Sequence, residues 1–211
     1  MAQTMRFTIG GYASCTDRAC GQVSRIIVSP VTRKVTHLAV DPIYRRGPGR
    51  LVPVDLVDAA TDQVRLRCTL AEFQALRPDQ EGGGMPDLDS TGHLGNPPDQ
   101  VRWVLGPMQD PGDAGPGVTV DYVPSGEVDI RRELIVCATD GEIGRVQGLL
   151  VEPGGHRITH VLFQEGHMWG RKEVAIPVDS VTKIGTLLIH LSLTKHEVKE
   201  LPPADIHPAA G

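Results

Sequence analysis

Aromatic side chains are scarce in this chain of 211 residues, at 4% of the total. The core must therefore be aliphatic, and the apolar runs are rich in valine and isoleucine, which favour strands. No apolar run approaches the roughly 20 residues that span a bilayer. The opening Met1-Ala2-Gln3-Thr4-Met5-Arg6 also lacks an apolar signal region. We therefore expect no membrane insertion and a cytoplasmic location.

Cysteines and catalytic motifs are sparse as well. The four cysteines, Cys15, Cys20, Cys68 and Cys137, form no CxxC pair, so we expect free buried thiols rather than a disulfide or zinc framework. The chain has no GxSxG elbow, no GxGxxG fingerprint and no Walker loop. These gaps predict a protein that is not an enzyme and that holds no cofactor.

The net charge of -5 is spread unevenly. Residues 1–78 carry 11 Lys/Arg and 6 Asp/Glu, whereas residues 79–117 carry 1 and 7. A basic front and an acidic middle indicate regions with different roles.

The chain repeats itself at an offset of 123 residues, which places Asp17 on Asp140. The matches keep one order with only two single-residue steps, so they indicate two homologous modules. Matched residues include Gly21 and Gly144, Val28 and Val151, Pro30 and Pro153, His37 and His160, Asp55 and Asp179, and Thr69 and Thr194.

These matches predict four regions. A diverged basic module spans 1–78, an acidic linker 79–117, a second module 118–203, and a disordered tail 204–211. The linker contains 9 Gly and 6 Pro, a composition that cannot bury enough apolar surface to offset its ordering entropy. One apolar island, 101–105, is interpreted as a tether onto a module, with a partner-docking motif as the alternative.

Each module is predicted to contain short strands followed by a short helix. In the second module, Asp140-Gly141 indicates a tight turn between two strands. Thr194 and Glu197 form a capping box for a helix over 195–200, and Thr69 and Glu72 repeat it in the first module. The predicted strands of the second module are 134–137, 145–151, 158–164, 173–177 and 186–191.

Several of these strands are apolar on both faces, so each module should bury a second surface. Alternation places Val161 and Phe163 in the barrel interior and groups Val146 with Leu150. The economical cover for the second surface is the other module, packed about a pseudo-twofold axis. The residues predicted for this inter-barrel interface are Ile26, Val28, Leu149, Val151, Ile158 and Leu162.

The second module resembles the PRC-barrel family, named for the cytoplasmic domain of the photosynthetic reaction-centre H subunit. The resemblance rests on the run from Asp140 to Val151, on Ile158-Thr159-His160, on Gly166-His167-Met168-Trp169-Gly170 and on Ile176-Pro177-Val178. It covers 125–203 well and 6–78 more loosely, since the first copy lacks the Asp-Gly turn.

The resemblance implies a small, mostly antiparallel barrel used for protein contacts, with no shared catalytic residues. The predicted fold is all-β, with two small antiparallel β-barrels, each with a short C-terminal helix, in a pseudo-twofold arrangement. The predicted function is protein interaction or scaffolding, by a monomer with an internal pseudo-dimer or by a homodimer. The alternatives are a small-ligand or metal-binding sensor and an RNA- or ribosome-associated adaptor.

Three histidines carry the metal alternative: His156, His160 and His167. Neutral imidazoles suit zinc, but a closed site needs about four convergent ligands. These three fall in a turn, a strand and the next turn, so we expect no metal site.

Two surfaces are candidates for binding. Met168, Trp169 and Arg171 are of types enriched at interface hot spots, although Trp169 could instead cap the barrel. A basic patch in two loops of the first module could attract RNA, an acidic protein or the acidic linker. Because few aromatics interleave with it, nucleic-acid binding is not the favoured function. The patch comprises Arg33, Lys34, Arg45, Arg46 and Arg50.

Overall fold

The computed structural model describes residues 4–43, 48–61, 63–83, 102–104, 118–165, 172–185 and 187–201. Two curled sheets of seven strands each account for most of this part of the chain, and two short helices accompany them. The prediction of an all-β fold with two barrel-like units is confirmed. Among the described residues, neither helix is long and apolar enough to cross a membrane.

The first sheet has the order β5–β4–β3–β2–β7–β6, and β11 pairs additionally with β3. Its strands are β2 (Tyr12–Ser14), β3 (Ala19–Ser29), β4 (Lys34–Asp41), β5 (Arg50–Pro53), β6 (Val57–Ala60), β7 (Val64–Leu66) and β11 (Val128–Ile130).

The second sheet repeats this plan, with the order β15–β14–β13–β12–β17–β16 and with β1 on β13. Its strands are β1 (Met5–Thr8), β12 (Ile135–Ala138), β13 (Gly141–Val151), β14 (Ile158–Glu165), β15 (Lys172–Pro177), β16 (Val181–Ile184) and β17 (Leu188–Leu191).

The two modules exchange their first strands. β1 lies at the start of the first module but pairs with β13 of the second, where Met5 lies opposite Val151. β11 lies at the start of the repeated part of the second module but pairs with β3 of the first, where Val128 lies opposite Val28. Both pairings obey the offset of 123 residues, so the exchange follows the pseudo-twofold symmetry of the repeat.

One ladder in each sheet departs from the predicted antiparallel arrangement. β2 pairs with β7 in parallel, and β12 pairs with β17 in parallel. The other ladders are antiparallel. Between β2 and β7 the chain passes through β3, β4, β5 and β6. This crossover brings β7 to the other edge of β2, where it runs in the same direction as β2.

A single apolar core joins the two modules. Phe7 on the exchanged β1 is fully buried in it, as is Ile130 on the exchanged β11. Five residues of the predicted inter-barrel interface belong to this core, and Leu162 is fully buried outside it. The five are Ile26, Val28, Leu149, Val151 and Ile158.

The predicted grouping of Val146 with Leu150 is wrong. A register shift between Val146 and Gly148 resets the alternation of β13, as a β-bulge does. Val146 therefore shares the core with Leu149, whereas Leu150 points away from it.

The second apolar face of the first sheet is covered by residues 122–123, which precede the repeated part of the second module, 125–203. Ile27 packs with Leu51 and with Val123, and Tyr122 lies against them. Tyr122 and Val123 follow β10 (Val118–Asp121), which pairs with β8 (Gln80–Gly83) and with β9 (Arg102–Val104). Two strands thus lie within the range predicted as a linker, and the described part of the apolar island, 102–104, is β9.

Both predicted helix starts are confirmed. α1 (Leu70–Ala75) begins after Thr69, and α2 (Lys195–Glu200) begins after Thr194. Each threonine accepts a hydrogen bond from the backbone N–H three residues later, and the glutamate there accepts one from the threonine N–H. Each capping box pairs two backbone N–H groups that the helix itself leaves unbonded.

Candidate functional site at the junction of the two modules

Two turns meet at the pseudo-twofold axis. One joins β3 to β4 and the other joins β13 to β14. The Val35 N–H donates to the His156 carbonyl at 2.9 Å, and the Ile158 N–H donates to the Arg33 carbonyl at 2.9 Å. Between these bonds, Lys34 and Arg157 face each other as an antiparallel bridge. The junction is therefore built from equivalent residues of both modules.

Arg33 and His156 share an unusual backbone conformation. Each has a φ of 53°, in the left-handed region that residues other than glycine rarely adopt. Such a conformation persists only where its surroundings hold it in place. Here the two cross-module hydrogen bonds hold both residues, so the turns are firmly positioned.

A side-chain contact with an aspartate flanks the junction on each side. Arg33 Nη1 lies 3.2 Å from Asp179 Oδ1, and His156 Nε2 lies 3.3 Å from Asp55 Oδ1. Both pairs join one module to the other. The two aspartates are almost fully exposed, with 94% and 88% of their side chains accessible. Each pair therefore adds orientation rather than much stability.

Lys34 and Arg157 form no ion pair within the described part of the chain. Both residues are exposed. Like charges directly opposite each other on paired strands repel, and here no described carboxylate neutralises them. The junction thus presents two free positive charges on a protein whose net charge is negative.

His37 lies beside the junction and faces a carboxylate. Its Nδ1 is 3.8 Å from Glu127 Oε2, which also accepts a hydrogen bond from Thr36 Oγ1 at 2.6 Å. Burial lowers the pKa of His37, although Glu127 and Asp55 oppose this change. We therefore treat His37 as neutral at pH 7, and its contact with Glu127 as polar rather than ionic.

A buried charge cluster lies under the strands that follow the first module. It consists of Arg25, Asp79, Asp121, Asp129 and Arg131. Arg25 Nη2 donates to Asp79 Oδ2 at 2.8 Å, and its Nη1 lies 3.6 Å from Asp121 Oδ1. Arg131 donates to both Asp121 and Asp129.

The two guanidinium groups offset the effect of burial on Asp121. Burial alone would raise the pKa of Asp121, but Arg131 and Arg25 outweigh it and lower that pKa. Burial and the neighbouring Asp79 raise the pKa of Asp41 at the edge of the cluster. Asp79 is 1% exposed and its bonds link β3 to the strands after the first module, so the cluster has a structural role.

Cys15 and Cys20 of the first module are not activated as nucleophiles. Cys15, Cys20 and Cys68 are free and buried, and Cys137 is free and half-buried. Burial raises the pKa of Cys15 and of Cys20. Reactive cysteines need the opposite shift, because the thiolate is the nucleophile.

The predicted metal candidates have separate partners. His156 contacts Asp55, and His160 Nδ1 lies 3.1 Å from Thr159 Oγ1. Within the described ranges, no group of three or more His, Cys, Asp or Glu side chains could hold a metal ion. Several predicted site residues lie outside the described residues, namely Arg45, Arg46, His167, Met168, Trp169 and Arg171.

The predicted basic patch is only partly recognisable in the structure. Arg33 and Lys34 lie at the junction, whereas Arg50 is on β5 and bridges to Pro78. The sequence-based prediction missed His156 and Arg157 as their neighbours. The signal was available, because the repeat offset of 123 places Arg33 on His156 and Lys34 on Arg157.

No protein-family model matches the chain, and no curated protein is significantly similar to it.

Proposed function

We propose that this protein is a non-catalytic protein-interaction or scaffolding module, in which one chain carries both halves of a PRC-barrel-like pseudo-dimer. The observation that carries the proposal is the reciprocal exchange of β1 and β11. Exchanged strands fix two related surfaces in one orientation without a second subunit. A monomer can then present a rigid surface to which both modules contribute.

The chemistry of the described side chains supports binding over catalysis. The buried arginines and aspartates are bonded to one another. The pKa values of two buried thiols are raised, which disfavours nucleophilic attack. We further propose a cytoplasmic location, because free buried cysteines suit a reducing compartment.

The test is affinity purification of the tagged full chain from its source cells after mild crosslinking. An unrelated β-barrel protein of similar net charge serves as the control bait. We expect one protein to be enriched at a constant stoichiometry with the bait and absent from the control. A bound ion or small molecule without a protein would instead favour a sensor, and enriched RNA would favour an adaptor.

A further inference from the structure

We infer that the junction surface, formed by Lys34, Arg157 and the turn bearing Val31, binds a short acidic segment of a partner protein. This inference rests on the proposed function and specifies its site and the chemistry of its partner. It brings together the two free cations of the junction and the most exposed large apolar side chain of the described residues, Val31 at 88%.

The charges at the junction are arranged for an external anion. Arg33 and His156 each have an aspartate partner, whereas Lys34 and Arg157, one residue further along each strand, have none among the described residues. Two exposed cations face each other in an antiparallel bridge, which costs stability unless an anion lies between them. A carboxylate group placed over this bridge would relieve the repulsion and gain two charge-assisted contacts.

The rim of the surface favours a short peptide over a nucleic acid. Asp55 and Asp179 flank the junction on opposite sides and are almost fully exposed. Their charges would repel a long phosphate backbone running across the axis. A short acidic segment can place its carboxylates on the axis and one apolar side chain against Val31.

The junction is also prepared for binding before a ligand arrives. Arg33 and His156 hold the left-handed conformation, and each carbonyl accepts a hydrogen bond from the opposite module. A surface that is already ordered loses less entropy on binding than a flexible loop does. The backbone positions of Lys34 and Arg157 are therefore fixed relative to each other.

The test measures peptide binding to the full chain by fluorescence anisotropy at low salt. The probe is a fluorescein-labelled dodecapeptide of Asp, Glu, Val and Ser. A peptide with Asn and Gln in place of the acids and a single-stranded RNA of equal length are the comparison ligands. The variant is Lys34→Glu with Arg157→Glu. Its matched control, Arg65→Glu with Lys183→Glu, changes two other exposed cations and gives the same net charge.

We expect the acidic peptide to bind wild type and the control variant with similar affinity. Its binding to the junction variant should be weaker by roughly tenfold or more and should weaken further with added salt. Equal affinity for the two variants, no binding to wild type, or tighter binding of the RNA would each overturn the inference. Unfolding curves that coincide for the two variants would exclude misfolding as the cause.

The affinity purification separates this inference from the proposed function. If a stoichiometric partner is retained by wild type and equally by the junction variant, the scaffold role stands and the site is wrong. If no protein is retained by wild type, the proposed function itself fails, and the acidic-segment inference fails with it.

Discussion

Arg33 and His156 are equivalent residues of the two modules, and each accepts a hydrogen bond from the strand that follows the other. Both hydrogen bonds have a donor–acceptor distance of 2.9 Å, and both residues have a φ of 53°. Their side chains differ in kind, since one is a guanidinium and the other an imidazole. The symmetry of the junction is therefore one of backbone geometry rather than of side-chain chemistry.

Reversing one free cation at the junction should stabilise the protein. Lys34→Glu would place opposite charges across the antiparallel bridge that now pairs Lys34 with Arg157. We expect the free energy of unfolding to rise by about 0.2–1 kcal/mol, measured by urea denaturation at low salt. Lys183→Glu, at an exposed position, is the control and should have a smaller effect. A loss of stability in Lys34→Glu would contradict the like-charge repulsion described above.

Adding a methyl group at Gly148 should disturb the strand exchange. A Cβ there would lie 2.1 Å from the Phe7 carbonyl oxygen on β1, so the exchanged strand would have to move. We expect Gly148→Ala to lower the free energy of unfolding by about 1–3 kcal/mol. Thermal or urea denaturation measures this.

Gly155→Ala is the matched control, because the atom nearest to its added Cβ is 3.9 Å away. It should be neutral or stabilising by up to about 1 kcal/mol, since alanine restricts the unfolded chain. Equal losses for both variants would mean that close approach of β1 does not limit position 148.

Removing the cation of the buried charge cluster should be costly. Arg25→Met would leave the carboxylates of Asp79 and Asp121 buried without one of their partners. We expect a loss of about 3–5 kcal/mol in the free energy of unfolding, measured by urea denaturation. Arg65→Met, on the exposed side of β7, should change stability by less than about 0.5 kcal/mol.

The double variant Arg25→Met with Asp79→Leu provides a further check on the cluster. It removes a buried cation together with a buried anion, so it should recover part of the loss caused by Arg25→Met alone. Strictly additive losses would show that the two side chains do not interact.

Acid should weaken the fold through His37 and His160. Burial lowers the pKa of both below the ordinary 6.5 in the folded state. The contribution of these two histidines to the free energy of unfolding is complete when the pH is above their unfolded pKa of about 6.5. As the pH falls from about 6.5 toward the lower pKa of the folded state, the unfolded chain takes up protons that the folded chain does not, so this contribution is lost. We expect the free energy of unfolding to fall between about pH 7.5 and pH 5.5.

The variant His37→Gln should make that fall shallower, because it removes one of the two titrating groups. His196→Gln is the matched control, since 83% of the His196 side chain is exposed, and it should leave the pH profile near that of wild type. Urea denaturation at a series of pH values measures the slope. A steeper fall in His37→Gln than in wild type would contradict the assignment.

Much of the fold could be predicted because its signals are local. The capping residues Thr69 and Thr194 specify their helix starts within three residues, and the repeat relates each strand of one seven-stranded sheet to a strand of the other. The grouping of Val146 with Leu150 failed because a β-bulge depends on the partner strand as well as on the strand itself. Local alternation cannot reveal it.

The strand exchange and the junction lay beyond these local signals. Nothing in the sequence of β1 indicates which of two homologous sheets it joins, since both offer an equivalent apolar strand. The pairing of Lys34 with Arg157 depends on that choice, because the turns meet only when the modules lie about one axis. The repeat offset supplies the list of equivalent residues, but the contact between them comes from tertiary packing.

The exchange also has a consequence for dissecting the protein. A cut between the modules would produce two pieces, each keeping a strand that completes the sheet of the other and lacking the strand that completes its own. Each half alone would leave an unfilled position beside its longest strand. The two pieces should therefore complement each other and regain their structure only when they are mixed. Regained structure can then be used to detect that the two pieces have met.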